Sequence, residues 1–237
     1  MTETVTERTK FGSMIIPENC DFHSICVIPS NREAFEYFKK CSESQNKNSL
    51  SKGIVLKYHS GSGASHILKC YLNETKKNKD LRVMYITGHR FMEYLITALR
   101  NNRMDEFRAV MRNNDIFVLD DLEFVVGKQA TQEELYLTFE SLIEKNSQII
   151  CVSTKSISKM KDCNKKLTNL LDSFATLDVK RPSYLERMDL VKFNMKNMLL
   201  DLDNEEIREV AKKSTKSIQQ LVGHMNQLKM KKELIIV

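Results

Sequence analysis

The sequence predicts an α/β fold: a parallel sheet with helices on both faces, followed by a small helical subdomain. Three observations lead there. Short apolar runs alternate with segments of helical period, the pattern of βα units. One run passes directly into a glycine-containing turn and a helix, and another ends in paired carboxylates. From Tyr184 onward the periodicity is helical only. With 237 residues, 41% apolar and 29% charged, the chain is large enough and apolar enough to bury a core.

Residues 1–14 carry Thr, Glu and Lys without periodicity and are expected to be a flexible tail. The α/β domain is expected over 15–182 and the helical subdomain over 183–237. Ser30 to Glu33 has the pattern of a capping box, and a helix with Ala34, Phe35, Tyr37 and Phe38 follows. Residues 42–52 form a polar loop. Gly53 to Tyr58 is a buried-strand candidate leading into the glycine turn. Leu81 to Thr87, Asp115 to Asp121 and Gln148 to Ser153 are further strands, and 175–180 makes a fifth. Thr131 to Glu134 and Asp203 to Glu206 read as capping boxes. Met188, Met195, Met198, Leu199 and Leu202 recur at helical spacing and read as core of the helical part.

Charge and cysteine content narrow the class. A net charge of +6 permits nucleic-acid contact without demanding it. None of the six cysteines falls in a CxxC pair, and no Cys/His group has zinc-finger spacing, so reduced, partly buried thiols are expected. There is no signal-type apolar segment and no apolar run of about 18 residues, which argues against secretion and membrane spanning and for a cytoplasmic protein.

The glycine turn carries the chemistry. A strand, a glycine turn and a helix form an anion site, because N–H groups at the helix start converge on phosphate. The Walker A pattern is GxxxxGK[ST], and the matching window runs from Tyr58 to Ser65. Gly63 and Ser65 fit it, with Gly61 in the turn. Tyr58 replaces the first glycine, and Ala64 replaces the lysine that would reach the β- and γ-phosphates. Asp120 and Asp121 end a strand in the Walker B manner, where a carboxylate holds Mg²⁺ through water, with Asp120 the metal candidate.

Residues 115–139, DIFVLDDLEFVVGKQATQEELYLTF, closely resemble the Walker B segment of the DnaA-type replication initiators. Pro29 to Arg32 resembles the family's PSN-R entry segment, and Ser65 to Leu68 its T-H-L-L. Asn101 to Arg108 resembles its N-N-x-M-x-E-F-R run, Gln148 to Ile150 its sensor 1 strand, and Leu221 to Gly223 with Asn226 its lid motif. The likeness spans about 20–230. It implies an AAA+ fold, a P-loop NTPase-like parallel sheet sandwiched by helices with a C-terminal helical lid, and a role in replication initiation or its regulation. It contains no segment like the family's helix-turn-helix DNA-box domain.

Carried over position by position, the resemblance argues against hydrolysis. Ala64 stands for the Walker A lysine, Thr154 for the sensor 1 acid, Ser173 for the arginine finger and Gln219 for the sensor 2 arginine. Gly61, Gly63, Ser65, Asp120 and Asp121 remain as a degenerate nucleotide site, which leaves weak Mg-ATP or Mg-ADP binding open. Ile96 and Lys128 match family positions that contact single-stranded DNA, and Arg100, Arg103, Arg108 and Arg112 add a basic face. The partners implied are a DnaA-type initiator or other replication proteins, single-stranded DNA, or further copies of the chain. The alternatives are a divergent ATP-binding initiator or helicase loader, and a scaffold that binds only proteins.

Overall fold

Five runs rich in Ile, Val and Leu form the strands: β1 Gly53–Tyr58, β2 Val83–Thr87, β3 Ile116–Asp120, β4 Gln148–Ser153 and β5 Ala175–Val179. They make one sheet in the order β2-β3-β4-β1-β5. Val83 pairs with Ile116 and Ile116 with Gln148, and both pairings are parallel. All five residues of β3 are buried, as a parallel strand covered on both faces requires. The expected parallel sheet is borne out. The structure, a computed structural model, describes residues 11–15, 20–43, 53–78 and 80–235. Most of the expected polar loop at 42–52 lies outside the described residues.

The chain divides into two compact units. One comprises Met1–Ile16, Ser51–Val55 and Asn78–Ala175; the other comprises Pro17–Leu50, Leu56–Lys77 and Thr176–Val237.

The first unit carries β2, β3, β4 and helices α3 Gly88–Arg100, α4 Met104–Met111, α5 Gln129–Glu144 and α6 Lys165–Asp172. Its core is aromatic: Phe91, Phe107, Phe117 and Phe139 are fully buried. Phe11 joins them, edge-on to Phe107 at 5.8 Å and to Tyr94 at 5.4 Å, with the Arg103 guanidinium 5.0 Å over its ring. The Met14 N–H donates to the Tyr85 carbonyl at 2.7 Å. Residues 11–14, expected as tail, are thus packed, because one large ring recovers enough apolar burial to order a short segment. Residues 1–10 lie outside the described residues.

Thr131 to Glu134 does not cap a helix, since α5 begins two residues earlier, at Gln129. Glu134 is buried and accepts from Arg108 Nη2 at 2.9 Å and from Arg112 Nη2 at 2.5 Å. The pair of arginines compensates a carboxylate that would otherwise be costly to bury.

The second unit carries α1 Arg32–Glu43, α2 Ala64–Lys76, α7 Tyr184–Met198, α8 Asn204–Lys213 and α9 Ile218–Ile235. Leu190, Val191, Leu202, Val210, Leu221 and Met225 form its core around Ile28, with Met188, Met195 and Met198 packed against it. Leu199, expected in this core, is 91% exposed, because it takes the left-handed conformation that ends α7 and turns its side chain outward. Asp203 and Glu206 form the expected capping box of α8, and Ser183 with Glu186 forms another on α7. The box expected at Ser30 is absent. Helix α1 starts at Arg32, Asn31 Oδ1 accepts from the Ile28 N–H, and the Ser30 N–H donates to Glu186 Oε1 at 2.6 Å. No described helix is long and apolar enough to cross a membrane.

Removing the Glu134 carboxylate leaves Arg108 and Arg112 facing each other without their anion. Glu134→Ala is expected to lower unfolding free energy by about 2–4 kcal/mol, read as a reduced urea midpoint at unchanged m-value.

Candidate functional site

The glycine turn lies in the second unit. Gly61 and Gly63 take positive φ of 78° and 89°, which a side chain rarely adopts. Gly63 precedes the first residue of α2, and its carbonyl accepts from the His66 N–H at 3.0 Å and the Ile67 N–H at 3.2 Å. The Gly61 carbonyl accepts from the Ile218 N–H at 2.9 Å. A Cβ on Gly61 would lie 2.3 Å from Ser217 Cβ, so glycine is what lets α9 start against the turn. Ala64 is 1% exposed and brings no charge. Ser62 is equally buried, and its hydroxyl has no hydrogen-bond partner among the described residues.

Beside this turn lies a cavity of about 440 Å³, within the range of small-molecule sites. Ser62 and Gly63 line one side; Ile25, Phe193, Ile218 and Val222 supply apolar walls, and Gln219 also borders it. Apolar walls suit a planar base, while N–H groups at a helix start suit phosphate. Of the residues expected here, Gly63 borders the cavity. Gly61 instead packs beneath Ser217, and Ser65 is half-buried on the first turn of α2. Sequence reasoning passed over Ser62, whose signal was its place between two glycines that must both take positive φ.

Asp120 and Asp121 belong to the first unit. Asp120 is 9% exposed; its Oδ2 accepts from the Tyr85 hydroxyl at 2.9 Å, and its Oδ1 accepts from the Asp121 N–H at 2.9 Å. Asp121 has φ of 52° and opens a 3-10 turn, Leu122–Val125. Burial, then Asp120 and Glu123, pushes the Asp121 carboxyl above its ordinary value. Glu123 accepts from Ser153 Oγ at 2.8 Å and from Thr154 Oγ1. Burial alone would raise the Glu123 carboxyl, but hydrogen bonds from Thr154, its own backbone and Ser153 outweigh it and hold it low. Thr154, expected at the sensor 1 position, is therefore tied to the turn after β3. Ser173, expected at the arginine-finger position, is exposed at the end of α6 and donates to the Leu170 carbonyl at 2.6 Å.

Also in the first unit, Ile96 is 39% exposed on α3. Lys128 precedes α5; its Nζ donates to the Phe124 carbonyl and lies 5.8 Å over the Phe124 ring. The basic face expected from Arg100, Arg103, Arg108 and Arg112 is smaller than the sequence suggests. Arg108 and Arg112 are committed to Glu134 and Arg103 to Glu106. Helical spacing placed these cations on neighbouring turns but did not reveal the acids that meet them.

The structure also gathers a group that short-range spacing missed. Cys20 Sγ lies 3.7 Å from His66 Nδ1, and Cys70 Sγ lies 3.9 Å from His66 Nε2. Burial, then the Cys20 sulfur, pushes the Cys70 thiol up to about 12. Burial, reinforced by Lys69, lowers His66. His66 and Cys70, one turn apart on α2, were legible as a pair; Cys20, 46 residues before His66, was not.

The bacterial DnaA ATPase domain family matches residues 17–177. The chromosomal replication initiator protein DnaA of Methylacidiphilum infernorum is 27% identical over 219 residues, covering 92% of this chain and 48% of that protein. The chain spans about half the length of the curated relatives it matches. A solved replication initiator DnaA bound to AMPPCP and single-stranded DNA aligns at a TM-score of 0.84 and 26% identity, over 92% of this chain and 67% of that one. Domain III of Thermotoga maritima DnaA aligns at 0.81 and 24% identity, over 94% and 92%, and supports the fold.

Two measurements probe this geometry. Gly61→Ala must move Ser217 away from the turn and strain φ. It is expected to cost about 2 kcal/mol or more and to raise hydrogen exchange at the Ile218 amide. For Glu123, whose folded pKa is lowered, the stabilising contribution is present above its unfolded value of about 4.3 and is lost as pH falls through the folded value. Glu123→Gln is therefore expected to be about 1–2 kcal/mol less stable at neutral pH, with the gap closing in acid, as read by denaturant midpoints across pH.

Proposed function

Because this chain belongs to the bacterial DnaA ATPase domain family, we propose that it acts in DNA replication initiation or its regulation without hydrolysing ATP. It works through contacts with a DnaA-type initiator or with single-stranded DNA. The observation that carries this reading is Ala64, a buried methyl group where an ATPase places its P-loop lysine. The arginine-finger position holds Ser173, and such fingers contribute about 10³–10⁵ in rate. Thr154, bonded to Glu123, and Gln219 complete the substitutions. With all four altered, turnover is expected to be negligible.

Nucleotide binding is a separate matter. The cavity keeps apolar walls and the helix start, and the Ser62 hydroxyl, without a partner among the described residues, suits an oxygen-rich ligand. These features support weak binding of ATP or ADP, with Gly61, Gly63 and Ser65 shaping the phosphate turn. In the first unit, Asp120 and Asp121 keep a Walker B pair, the carboxylates that hold Mg²⁺ through water in such proteins. We read 15–182 as the nucleotide-binding-type domain and 183–237 as its lid.

A DnaA of known structure binds single-stranded DNA, and Ile96 and Lys128 are our candidates for that contact here. Lys128 gives the phosphate term and the exposed Ile96 an apolar one. Partner copies or an initiator are expected to stack in the manner of AAA+ proteins.

Titration with a fluorescent ATP analogue is expected to show no binding tighter than roughly millimolar, with no phosphate release. Micromolar binding with turnover would replace this reading by an ATP-driven initiator or loader. Single-stranded DNA binding is expected to weaken with salt and to fall further in Lys128→Ala; salt-independent binding, or none, removes the DNA role. Co-purification with a full-length DnaA tests the initiator contact.

A further inference from the structure

We propose that Cys20, His66 and Cys70 form a binding site for a single zinc ion. The two sulfurs and one imidazole nitrogen lie within 4.8 Å of one another. Zinc held tetrahedrally, with bonds of about 2.3 Å to sulfur and about 2.0–2.1 Å to nitrogen, sets sulfur and nitrogen about 3.6 Å apart and two sulfurs about 3.8 Å apart. The observed 3.7 Å between Cys20 Sγ and His66 Nδ1 is close to that spacing without an ion in place; Cys70 Sγ lies 3.9 Å from Nε2 of the same ring, so a side-chain rotation brings it to an ion on Nδ1.

The donor set selects the metal. Two thiolates and an imidazole are soft to borderline ligands, which favour zinc over magnesium or calcium. Their charges neutralise the dication, so the site remains uncharged in a partly buried position. The scaffold suits the purpose too. His66 and Cys70 stand at positions i and i+4 of α2 and share one helix face. Cys20 is brought to that face by the segment before the 3-10 turn Phe22–Ser24, and Asn73 Nδ2 fixes that segment by donating to the Cys20 carbonyl at 2.8 Å.

The hydrogen bonds around the ring assign the ligating nitrogen. Ser24 Oγ donates its proton to the Asp21 carbonyl at 2.6 Å, so toward His66 Nε2, 3.0 Å away, it acts as acceptor. Nε2 therefore carries the imidazole proton, and Nδ1, the nitrogen beside Cys20, presents its lone pair. A ligating histidine whose other ring N–H is held by a hydrogen-bond acceptor is the usual outer-shell arrangement of protein zinc sites. On binding, each thiol gives its proton to solvent, and Cys70 gives up its contact with the Asp21 carbonyl, now at 3.2 Å. Three protein donors leave the fourth position to solvent.

Zinc here would tie 20–24 to α2. Ser24 and His66 both border the 440 Å³ cavity, so the ion would set one of its walls. The proposal does not rest on nucleotide binding, and zinc uptake is measured without nucleotide.

The whole chain, reduced and stripped with chelator, is titrated with zinc against a chromophoric chelator and, separately, with cobalt(II). The expected result is one zinc per chain and a cobalt spectrum with thiolate charge-transfer and tetrahedral d–d bands. Cys20→Ser and Cys70→Ser are expected to abolish both, with unchanged circular dichroism. Ser24→Ala, which removes the acceptor on Nε2 together with the hydroxyl's own bond to the Asp21 carbonyl, is expected to weaken zinc binding about 10–100-fold. Cys41→Ser, a change at a thiol outside the group, is expected to bind as the parent does. The proposal is overturned if the reduced chain takes up no zinc, if the cobalt bands survive in the Cys20→Ser, Cys70→Ser double variant, or if Cys20 and Cys70 form a disulfide that re-forms in air in preference to metal uptake.

Discussion

The hydrogen bond from the Ile218 N–H to the Gly61 carbonyl is the constraint on which the candidate site depends. It holds the start of α9 against the turn between β1 and α2, and the turn accepts it only because Gly61 lacks a Cβ and tolerates positive φ. Ile218, Gln219 and Val222 then fall on the cavity, while Ser62 and Gly63 face them from the turn. A single backbone contact thus decides which side chains of a helical segment meet a phosphate-type loop some 155 residues away in sequence, a distance over which no local pattern carries information.

A second constraint works in the first unit. The turn after β3 must present Asp120 and Asp121 while leaving no buried polar group unpaired. Tyr85 and the Asp121 N–H satisfy Asp120, and Glu123 gathers Ser153 and Thr154. Thr154, matched by resemblance to the sensor 1 acid, is thereby absorbed into a hydrogen-bond network. A retained Walker B shape therefore has a structural reason to persist apart from metal binding: removing a member would orphan its partners, at about 1–3 kcal/mol each.

The same logic separates the fold's requirements from the chemistry it once suits. Gly61 and Gly63 are needed by geometry whatever binds. A P-loop lysine is needed only by phosphate, and Ala64, matched to it by resemblance alone, is ordinary buried volume. The glycine positions thus have a backbone reason to persist, as Asp120 has a hydrogen-bonded one. The Cys20, His66 and Cys70 group adds polarizable donors to a part of the site that phosphate chemistry does not use.

The sequence by itself determined the five strands, the helical C-terminal part, the glycine turn and the family, because apolar period and turn chemistry act over a few residues and the run from 115 to 139 is long enough to be specific. The capping box at Asp203 was legible for the same reason. Only the tertiary structure decided that Phe11 is core, that Leu199 faces outward, that Glu134 neutralises Arg108 and Arg112, and that Ser62 rather than Ser65 borders the cavity. It alone brought Cys20 to His66 and Cys70. In each case the deciding partner is distant along the chain, and burial, ion pairing and ligand geometry depend on distance in space, which sequence spacing records only within one helix or strand.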